Sequence, residues 1–144
     1  MGTPRWKGDD ILEASLMLCD CAQVVDGKLY ILGGGWDRTR VGNPAIGIAM
    51  EVLVEWTETN QKHTFEIELQ SEDGDPVLVG DPPGPLKISG EFATGRPVQH
   101  PPGMPLGVRQ ALNIQNVPLE PSSRYRWELR IDGHPETWVR FYTE

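Results

Sequence analysis

Two cysteines and three histidines are the side chains of this sequence best suited to metal binding or redox chemistry. Cys19 and Cys21 are two residues apart, so on a strand both thiols would leave the same face. The short spacing opposes an easy disulfide, and two thiolates are half of the ligands that a structural zinc needs. His63, His100 and His134 have no metal-type spacing to one another. We therefore predict reduced, buried cysteines, no metal site and no cofactor.

Two aspartates are the remaining candidates for an enzyme site. Asp20 interrupts an apolar stretch, and Asp37 follows soon after three glycines. A buried carboxylate needs a partner, and Arg38 or Arg40 could supply a structural ion pair for Asp20. Catalysis requires cooperating groups, and nothing in the sequence brings these aspartates together with a histidine. We therefore predict that no residue is catalytic and that the protein is not an enzyme. An enzyme using Asp20, Asp37 and the histidines is the less favoured alternative.

Two further segments resemble ligand-binding loops. Gly33–Gly35 could cradle a phosphate, but that use needs a helix N-terminus next, and residues 36–44 have no helical pattern. Residues 72–76 resemble half of a calcium loop that lacks the ligand spacing and the closing glutamate of an EF-hand. We interpret the first as a bulge and the second as a tight turn.

Strands are the elements that must position these residues. Between His63 and Gln70, the apolar Phe65, Ile67 and Leu69 alternate with polar residues, which is the period of a half-buried strand. The same alternation, separated by Gly, Pro, Asn and Asp, recurs along the chain. It predicts an all-β fold, an antiparallel β-sandwich of about nine strands.

The segment from Leu119 to Ile131 refines that prediction. A Leu-x-Pro-x-x-x-Tyr entry into the strand beginning near Tyr125 is similar to the tyrosine corner of immunoglobulin-like and fibronectin-like sandwiches. In that corner the phenol bonds to the backbone of the preceding turn. We therefore expect an immunoglobulin/fibronectin-like sandwich in which the Tyr125 hydroxyl contacts the turn at residues 119–124.

The N-terminal part of the chain suggests a contact surface. The run Leu16–Val25 is apolar on both faces, and Asp26-Gly27 predicts a tight hairpin that returns the chain through Lys28–Leu32. One sandwich core covers one face of a strand, so the second face must be covered by something else. We therefore predict an interface with a protein partner or a second copy, formed by Leu16, Met17, Leu18 and Tyr30.

The length and net charge of the chain limit its domain organisation and its possible partners. The chain has 144 residues and suits one domain, with residues 1–14 as an N-terminal extension and residues 15–144 as the sandwich. The formal net charge of -8 opposes phosphate binding, so we expect no nucleic-acid partner. The densest basic set, Arg124, Arg126 and Arg130, is interpreted as the solvated face of an edge or surface strand. No apolar run reaches the ~20 residues of a membrane span, and the start lacks a signal peptide's apolar core, so we expect a cytoplasmic protein with no membrane partner.

Aromatic residues supply the binding candidates. The sequence contains five tryptophans, and we assign Trp56 and Trp127 to the core. Trp6, Trp36 and Trp138, together with Asp37, are the predicted binding residues. A flat row of exposed rings would favour a carbohydrate, whereas a single ring in an apolar patch would favour a protein.

Two motifs resemble a known group of proteins. Leu18-Cys-Asp20 followed by Asp26–Trp36, and the later Tyr125–Gly133, are similar to a family of uncharacterised bacterial β-sandwich proteins, over nearly the whole chain. The resemblance implies no assigned activity and no catalytic residues. We therefore expect a non-enzymatic binding or assembly module that acts through protein–protein contacts, with a carbohydrate-binding module as the alternative.

Overall fold

The computed structural model describes residues 11–144. These residues form twelve strands: β1 (Ile11–Cys19), β2 (Cys21–Val25), β3 (Lys28–Leu32), β4 (Arg38–Thr39), β5 (Ile46–Val54), β6 (His63–Ser71), β7 (Leu78–Val79), β8 (Gly84–Pro85), β9 (Lys87–Phe92), β10 (Leu106–Ile114), β11 (Arg124–Ile131) and β12 (His134–Thr143). One 3-10 turn, Trp56–Glu58, follows β5. Within the described residues, no helix is long and apolar enough to cross a bilayer.

Two sheets make up the body of the fold. One has three strands in the order β1-β5-β10, and the other has five in the order β4-β12-β11-β6-β9. All neighbours are antiparallel except the short β4, which runs parallel to β12. The chain passes from one of these sheets to the other between β1 and β4, by way of β2 and β3, and again between β4 and β5, β5 and β6, β9 and β10, and β10 and β11. The predicted all-β, antiparallel sandwich is confirmed, and nine of the described strands have five or more residues. The immunoglobulin/fibronectin-like subtype remains a prediction.

The core lies between the two sheets because the strands alternate as the sequence predicts. On β5, Ile46, Ile48, Met50, Val52 and Val54 are all at most 1% exposed and face inward. From the opposite sheet the inward side chains are Phe65, Ile67 and Leu69 of β6, with Tyr125, Trp127, Leu129 and Ile131 of β11. Such burial of large apolar side chains supplies the main driving force for folding.

The apolar run Leu16–Val25 is not one strand, which corrects the predicted hairpin. The chain breaks at the exposed Asp20, so β1 stays in the three-stranded sheet while β2 turns away to pair with β3. Asp26 and Gly27 between them have φ of 51° and 73°. These positive values are those of a type I′ turn, as the Asp-Gly pair predicts.

The β2–β3 hairpin folds back over the outer face of the three-stranded sheet. Ala22 of β2 packs there against Cys19 and Ala49 in a small second core, joined by the partly buried Leu29 and Ala111. The second apolar face of β1 is thus covered, near Cys19, by the chain's own hairpin.

A pair of hydrogen bonds and a close backbone contact hold the hairpin against the sheet. The Asn113 side chain of β10 acts as a backbone substitute: its Oδ1 accepts the Ala22 N–H at 3.1 Å and its Nδ2 donates to the Ala22 carbonyl at 2.9 Å. Gly47 of β5 lets the chain pass closely, because a Cβ there would lie 3.0 Å from the Cys21 Cα. The hairpin is therefore docked through backbone contacts as well as apolar ones.

The alternation of side chains along β1 corrects two of the four residues of the predicted interface, Leu16 and Leu18. Leu18 is 1% exposed in the main core, and Leu16 is half-buried against the same core, since both side chains point inward. Met17 on the opposite face is 44% exposed, and Tyr30 on β3 is 51% exposed. β1 itself begins at Ile11, four residues before the expected start of the sandwich at residue 15.

The tyrosine corner forms as predicted. The Tyr125 hydroxyl accepts the Glu120 N–H at 2.8 Å, and the ring is buried against Phe141. Nearby, the Thr143 hydroxyl donates to the Glu120 carbonyl at 2.6 Å, which closes the same turn. The corner therefore ties the entry of β11 to the end of β12.

Tyr125→Phe removes this hydrogen bond and keeps the ring. We expect the free energy of unfolding to fall by about 0.5–1.5 kcal/mol, the usual net worth of one hydrogen bond. Urea denaturation followed by circular dichroism measures the loss. Tyr142→Phe, a change on the exposed face of β12, is the control and should leave the unfolding midpoint in place. Equal midpoints for both variants would show that the corner bond adds nothing to stability.

Candidate functional site

Asp20, the first acidic candidate for catalysis, lies apart from the arginines expected to pair with it. Asp20 is exposed at the β1–β2 break, where its side chain packs on Gly33, and it makes no ion pair with Arg38 or Arg40. The expected buried pairing is therefore wrong, since the strand ends at Asp20 and the carboxylate meets water. The glycine run next to it ends in the half-buried Trp36, and an open groove of about 460 Å³ lies along these residues.

His63 is the histidine with a defined electrostatic environment. It is 1% exposed, its Nδ1 lies 2.7 Å from Asp132 Oδ2, and its Nε2 lies 3.0 Å from the Glu58 carbonyl oxygen. Asp132 Oδ1 also accepts the Thr64 N–H at 2.9 Å. The ring stacks on Phe92 at 5.3 Å between centroids. His63 thus joins the turn after β5 to the turn between β11 and β12. The imidazole is buried, whereas the Asp132 side chain is 33% exposed, and neither residue lines the neighbouring cavity of about 490 Å³.

The other histidines lie elsewhere in the fold. His100 stacks on Trp56 at 5.9 Å and its Nε2 contacts the Met104 carbonyl at 3.0 Å, whereas His134 is exposed at the start of β12. In residues 11–144, no group of three His, Cys, Asp or Glu side chains is arranged to hold a metal ion. The three histidines are thus not brought together.

The two cysteines occupy opposite environments, because the strand breaks between them. Cys19 is fully buried under the hairpin, and Cys21 is exposed, so the prediction that both are buried is wrong for Cys21. Burial, with smaller contributions from Cys21 and Asp20, raises the pKa of the Cys19 thiol above its usual 9.0. Both thiols are free.

This difference predicts selective alkylation. Iodoacetamide reacts with thiolates, so in the native protein Cys21 should be labelled at least about tenfold faster than Cys19, as burial both shields Cys19 and disfavours its thiolate. Mass spectrometry of peptides measures both rates. Comparable native rates would show that the hairpin does not cover Cys19.

The raised pKa also predicts a pH dependence with a definite sign. The folded Cys19 thiol keeps its proton to higher pH than the unfolded thiol does. Its contribution to stability is therefore complete below the usual value of 9.0 and is lost as the pH rises through the folded-state pKa. Denaturation in reducing buffer should show a smaller alkaline loss in Cys19→Ala than in the wild type.

The described tryptophans do not form a flat exposed row. Trp36 is half-buried and meets Phe141 edge-on at 5.9 Å, and Trp138 is half-buried between two arginines. Trp127 is in the core as predicted, but Trp56 is only partly buried, with the Arg96 guanidinium 4.4 Å above its ring. Trp6, a predicted binding residue, lies outside the described residues.

The hairpin carries an exposed apolar surface. Cross-strand pairing places Val25, Tyr30 and Leu32 on the side that faces away from the sheet. Leu32 is 66% exposed, the most of these. We call this the hairpin surface, formed by the exposed apolar residues Val25, Tyr30 and Leu32. Val24 and Ile31 lie on the opposite side of the hairpin, which faces the sheet, and there Ile31 and Met17 both lie against Gly34.

The outer face of the five-stranded sheet carries a second surface, and of the residues that form it only Trp138 was a predicted binding residue. β11 lies between β12 and β6, so its arginines are not on an edge strand. We call this the arginine–aromatic surface, formed by Arg38, Arg124, Arg126, Arg130, Arg140, Trp138 and Tyr142. Two alternating patterns in the sequence could have predicted this surface: Arg124-x-Arg126 and Trp138-x-Arg140-x-Tyr142. They lie on strands joined by the Asp132-Gly133 turn.

A buried carboxylate organises the middle of this surface. Glu128, with a side chain 7% exposed, accepts from Arg130 Nε at 2.8 Å and lies 3.7 Å from Arg126 Nη2. Gln70 extends the network by accepting from Arg126 Nε at 2.8 Å and donating to Glu68 at 2.8 Å. The predicted binding residue Asp37 lies at the other end, where it lines a cavity of about 400 Å³ with Arg124, Arg140 and Tyr142.

Comparison with known proteins supplies the family. A family model described as a family of unknown function, DUF6941, matches residues 14–144. The chain belongs to this family. No curated protein matches the chain. The family is consistent with the uncharacterised group that the sequence motifs resemble.

A solved structure is also similar to the chain. It is the alkylpurine DNA glycosylase AlkC of Pseudomonas fluorescens bound to DNA containing an abasic site analog, with 10% identity and a TM-score of 0.43. The match covers 75% of this chain and 28% of that chain. At this TM-score the likeness assigns no DNA binding to the present chain. The predicted exclusion of nucleic acid is nevertheless corrected, because the protein matched is bound to DNA. The charge argument was too coarse, since net charge is an average and the arginine–aromatic surface is locally basic.

Proposed function

We propose that this protein is a non-enzymatic binding module that holds a protein partner on the hairpin surface. The observation that carries the proposal is the exposure of Tyr30 and Leu32, at 51% and 66%, on a hairpin that is otherwise firmly docked. Exposed large apolar side chains grouped on one face are typical of interaction sites. Free thiols at Cys19 and Cys21 suit the reducing cytoplasm, which we propose as its compartment.

The rigidity of the hairpin supports binding. The Asn113 clamp and the close approach over Gly47 hold β2 at a fixed distance from the sheet, so the outward side chains are positioned before a partner arrives. A preorganised surface loses less conformational entropy on binding than a mobile loop does. Tyrosine adds area with few rotatable bonds, which makes Tyr30 a suitable anchor.

The placement of the polar candidates supports a function without catalysis. Asp20 and Asp37 are exposed at separate positions, and His63 is buried, with Asp132 as its partner. Among the described residues, no nucleophile, base and substrate cavity therefore converge. The four described tryptophan rings do not form a sugar-stacking platform, so nothing in residues 11–144 favours the carbohydrate alternative.

Photo-crosslinking in the native cell tests the proposal. A benzoylphenylalanine at position 30 should give one crosslinked protein species, whereas the same group at position 78, also a solvent-exposed site, should not. Adding Leu32→Ser should remove the product from position 30. Leu78→Ser, the matched control at a residue 61% exposed, should leave it unchanged. A product of twice the chain mass would identify a second copy as the partner.

Two outcomes would contradict the proposal. A product that survives Leu32→Ser would mean that the contact does not use the hairpin surface. Equal products from positions 30 and 78 would mean that neither site is specific. Thermal unfolding of each variant accompanies the experiment, and we expect shifts below about 0.5 kcal/mol because exposed side chains contribute little to stability.

A further inference from the structure

We propose that the arginine–aromatic surface binds an extended acidic segment of another polypeptide. This site lies on the opposite sheet from the hairpin surface and does not depend on it. Five of the nine arginines of the chain lie on this one face, in a protein whose formal net charge is -8. The partner recognised by such a face carries carboxylates.

Two of these arginines have guanidinium groups that are available to a ligand. Arg126 and Arg130 share Glu128, and Arg124 lies 3.5 Å from Glu72. Arg38 and Arg140 are exposed and, among the described residues, contact aromatic rings rather than carboxylates. A guanidinium without an acidic partner keeps its full set of donors for a bidentate bond to a carboxylate.

The aromatic rings restrict the positions of the neighbouring guanidinium groups. The Arg38 guanidinium carbon is 5.3 Å from the Tyr142 ring, and those of Arg126 and Arg140 are 5.0 and 5.5 Å from the Trp138 ring. Stacking of this kind restricts long side chains, so less entropy is lost when a ligand binds. The stacked tryptophan therefore acts as a spacer between two cations.

The pairing of β11 with β12 places two like charges next to each other, and an acidic ligand would reduce their repulsion. Arg126 of β11 stands directly opposite Arg140 of β12, and like charges in that position repel. Glu128 lies 3.7 Å from Arg126, and Gln70 accepts a hydrogen bond from it. No described carboxylate forms an ion pair with Arg140, although Asp37 lines the same cavity. A carboxylate from a partner placed over Arg140 would relieve the repulsion.

The spacing of the surface favours an extended polypeptide. Outward residues on one strand recur every ~6.6 Å, which is also the distance between alternate side chains of an extended ligand. Arg38 is paired with Tyr142 across β4 and β12, and Arg140 is the next outward residue along β12. Arg38 and Arg140 are therefore diagonal neighbours about 7–8 Å apart, a separation close to that of glutamates at alternate positions of an extended ligand. Asp37, Glu68 and Glu72 interrupt the cations, and a continuous phosphate backbone would have to pass over them.

Fluorescence anisotropy tests the site with a labelled short peptide that has glutamate at alternate positions. The wild type should bind it, and Arg140→Gln and Arg38→Gln should each weaken binding about tenfold, as expected for loss of a charge-assisted bond. Arg140→Lys should give an intermediate affinity because it keeps the charge and loses the fork. Lys28→Gln, which removes a cation from the other side of the molecule, is the control and should change nothing.

Three results would overturn the proposal. The first is no binding of the peptide by the wild type, and the second is equal affinity in Arg140→Gln and Lys28→Gln. The third is tighter binding of a thymidine oligonucleotide than of the peptide, with loss in Arg140→Gln, which would identify nucleic acid as the occupant. A glutamine version of the peptide should not bind, which separates charge recognition from pairing through the backbone.

Discussion

Trp127→Ala is expected to lower the free energy of unfolding by about 3–5 kcal/mol, the usual loss for a fully buried large aromatic residue. Trp127 is 0% exposed at the centre of β11, opposite Leu69 of β6 and Val139 of β12. Removing the indole would leave a cavity that inward residues of both sheets must line. Since single domains are stable by about 5–15 kcal/mol, this change takes a large share of the total.

Trp127→Phe separates the volume of the ring from its polar atom. The indole Nε1 is buried and has no hydrogen-bond partner among the described residues, so phenylalanine removes an unsatisfied donor while keeping most of the apolar contact. We expect this variant to lose less than half as much stability as Trp127→Ala. Urea denaturation with linear extrapolation measures both. Similar losses would mean that the Nε1 group has a partner that stabilises the fold.

Gly47→Ala is expected to cost about 1–3 kcal/mol, because overpacking at a close contact forces neighbouring atoms to move. A Cβ at this position would lie 2.8 Å from the Cys19 Sγ and 3.0 Å from both the Cys19 carbonyl oxygen and the Cys21 Cα. Two of these are backbone atoms at the point where the chain leaves β1 for the hairpin. Relief therefore requires the hairpin to lift from the sheet.

The displacement of the hairpin in Gly47→Ala can be measured separately, by the alkylation rate of Cys19. Cys19 is buried beneath the hairpin, so Gly47→Ala should speed its alkylation in the native protein while leaving the rate at Cys21 unchanged. Gly84→Ala is the matched control, since a Cβ there meets nothing within 4 Å and its φ is not positive. Unchanged stability together with unchanged labelling in Gly47→Ala would show that the hairpin tolerates a wider separation.

Local sequence patterns predicted most of the strands. The alternation of His63–Gln70 gave β6 to within one residue, and Lys28–Leu32 matches β3. The Asp26-Gly27 turn and the hydroxyl contact of Tyr125 also formed as predicted. These features depend on residues close together in sequence, where the period of the side chains and the φ values of a turn are set by residue type.

The break at Asp20 could not be predicted in the same way. Leu16–Val25 is apolar throughout, so periodicity alone does not show where one strand ends and another begins. What decides it is the room above Gly47 and the amide of Asn113, both contributed by strands far along the chain. As a result Cys19 is buried and Cys21 is exposed, whereas a continuous strand would have placed both side chains on the same face.

The sequence by itself thus determined the all-β class, the main strands and two of the turns, because each is encoded over a few neighbouring residues. Only the tertiary structure decided which surfaces the molecule presents. Arg38, Arg126 and Arg140 lie far apart in the chain and meet because β4, β12 and β11 are neighbours in one sheet. Partner choice between strands depends on packing across the core rather than on local propensity, so the arginine–aromatic and hairpin surfaces exist only once the sheets have assembled.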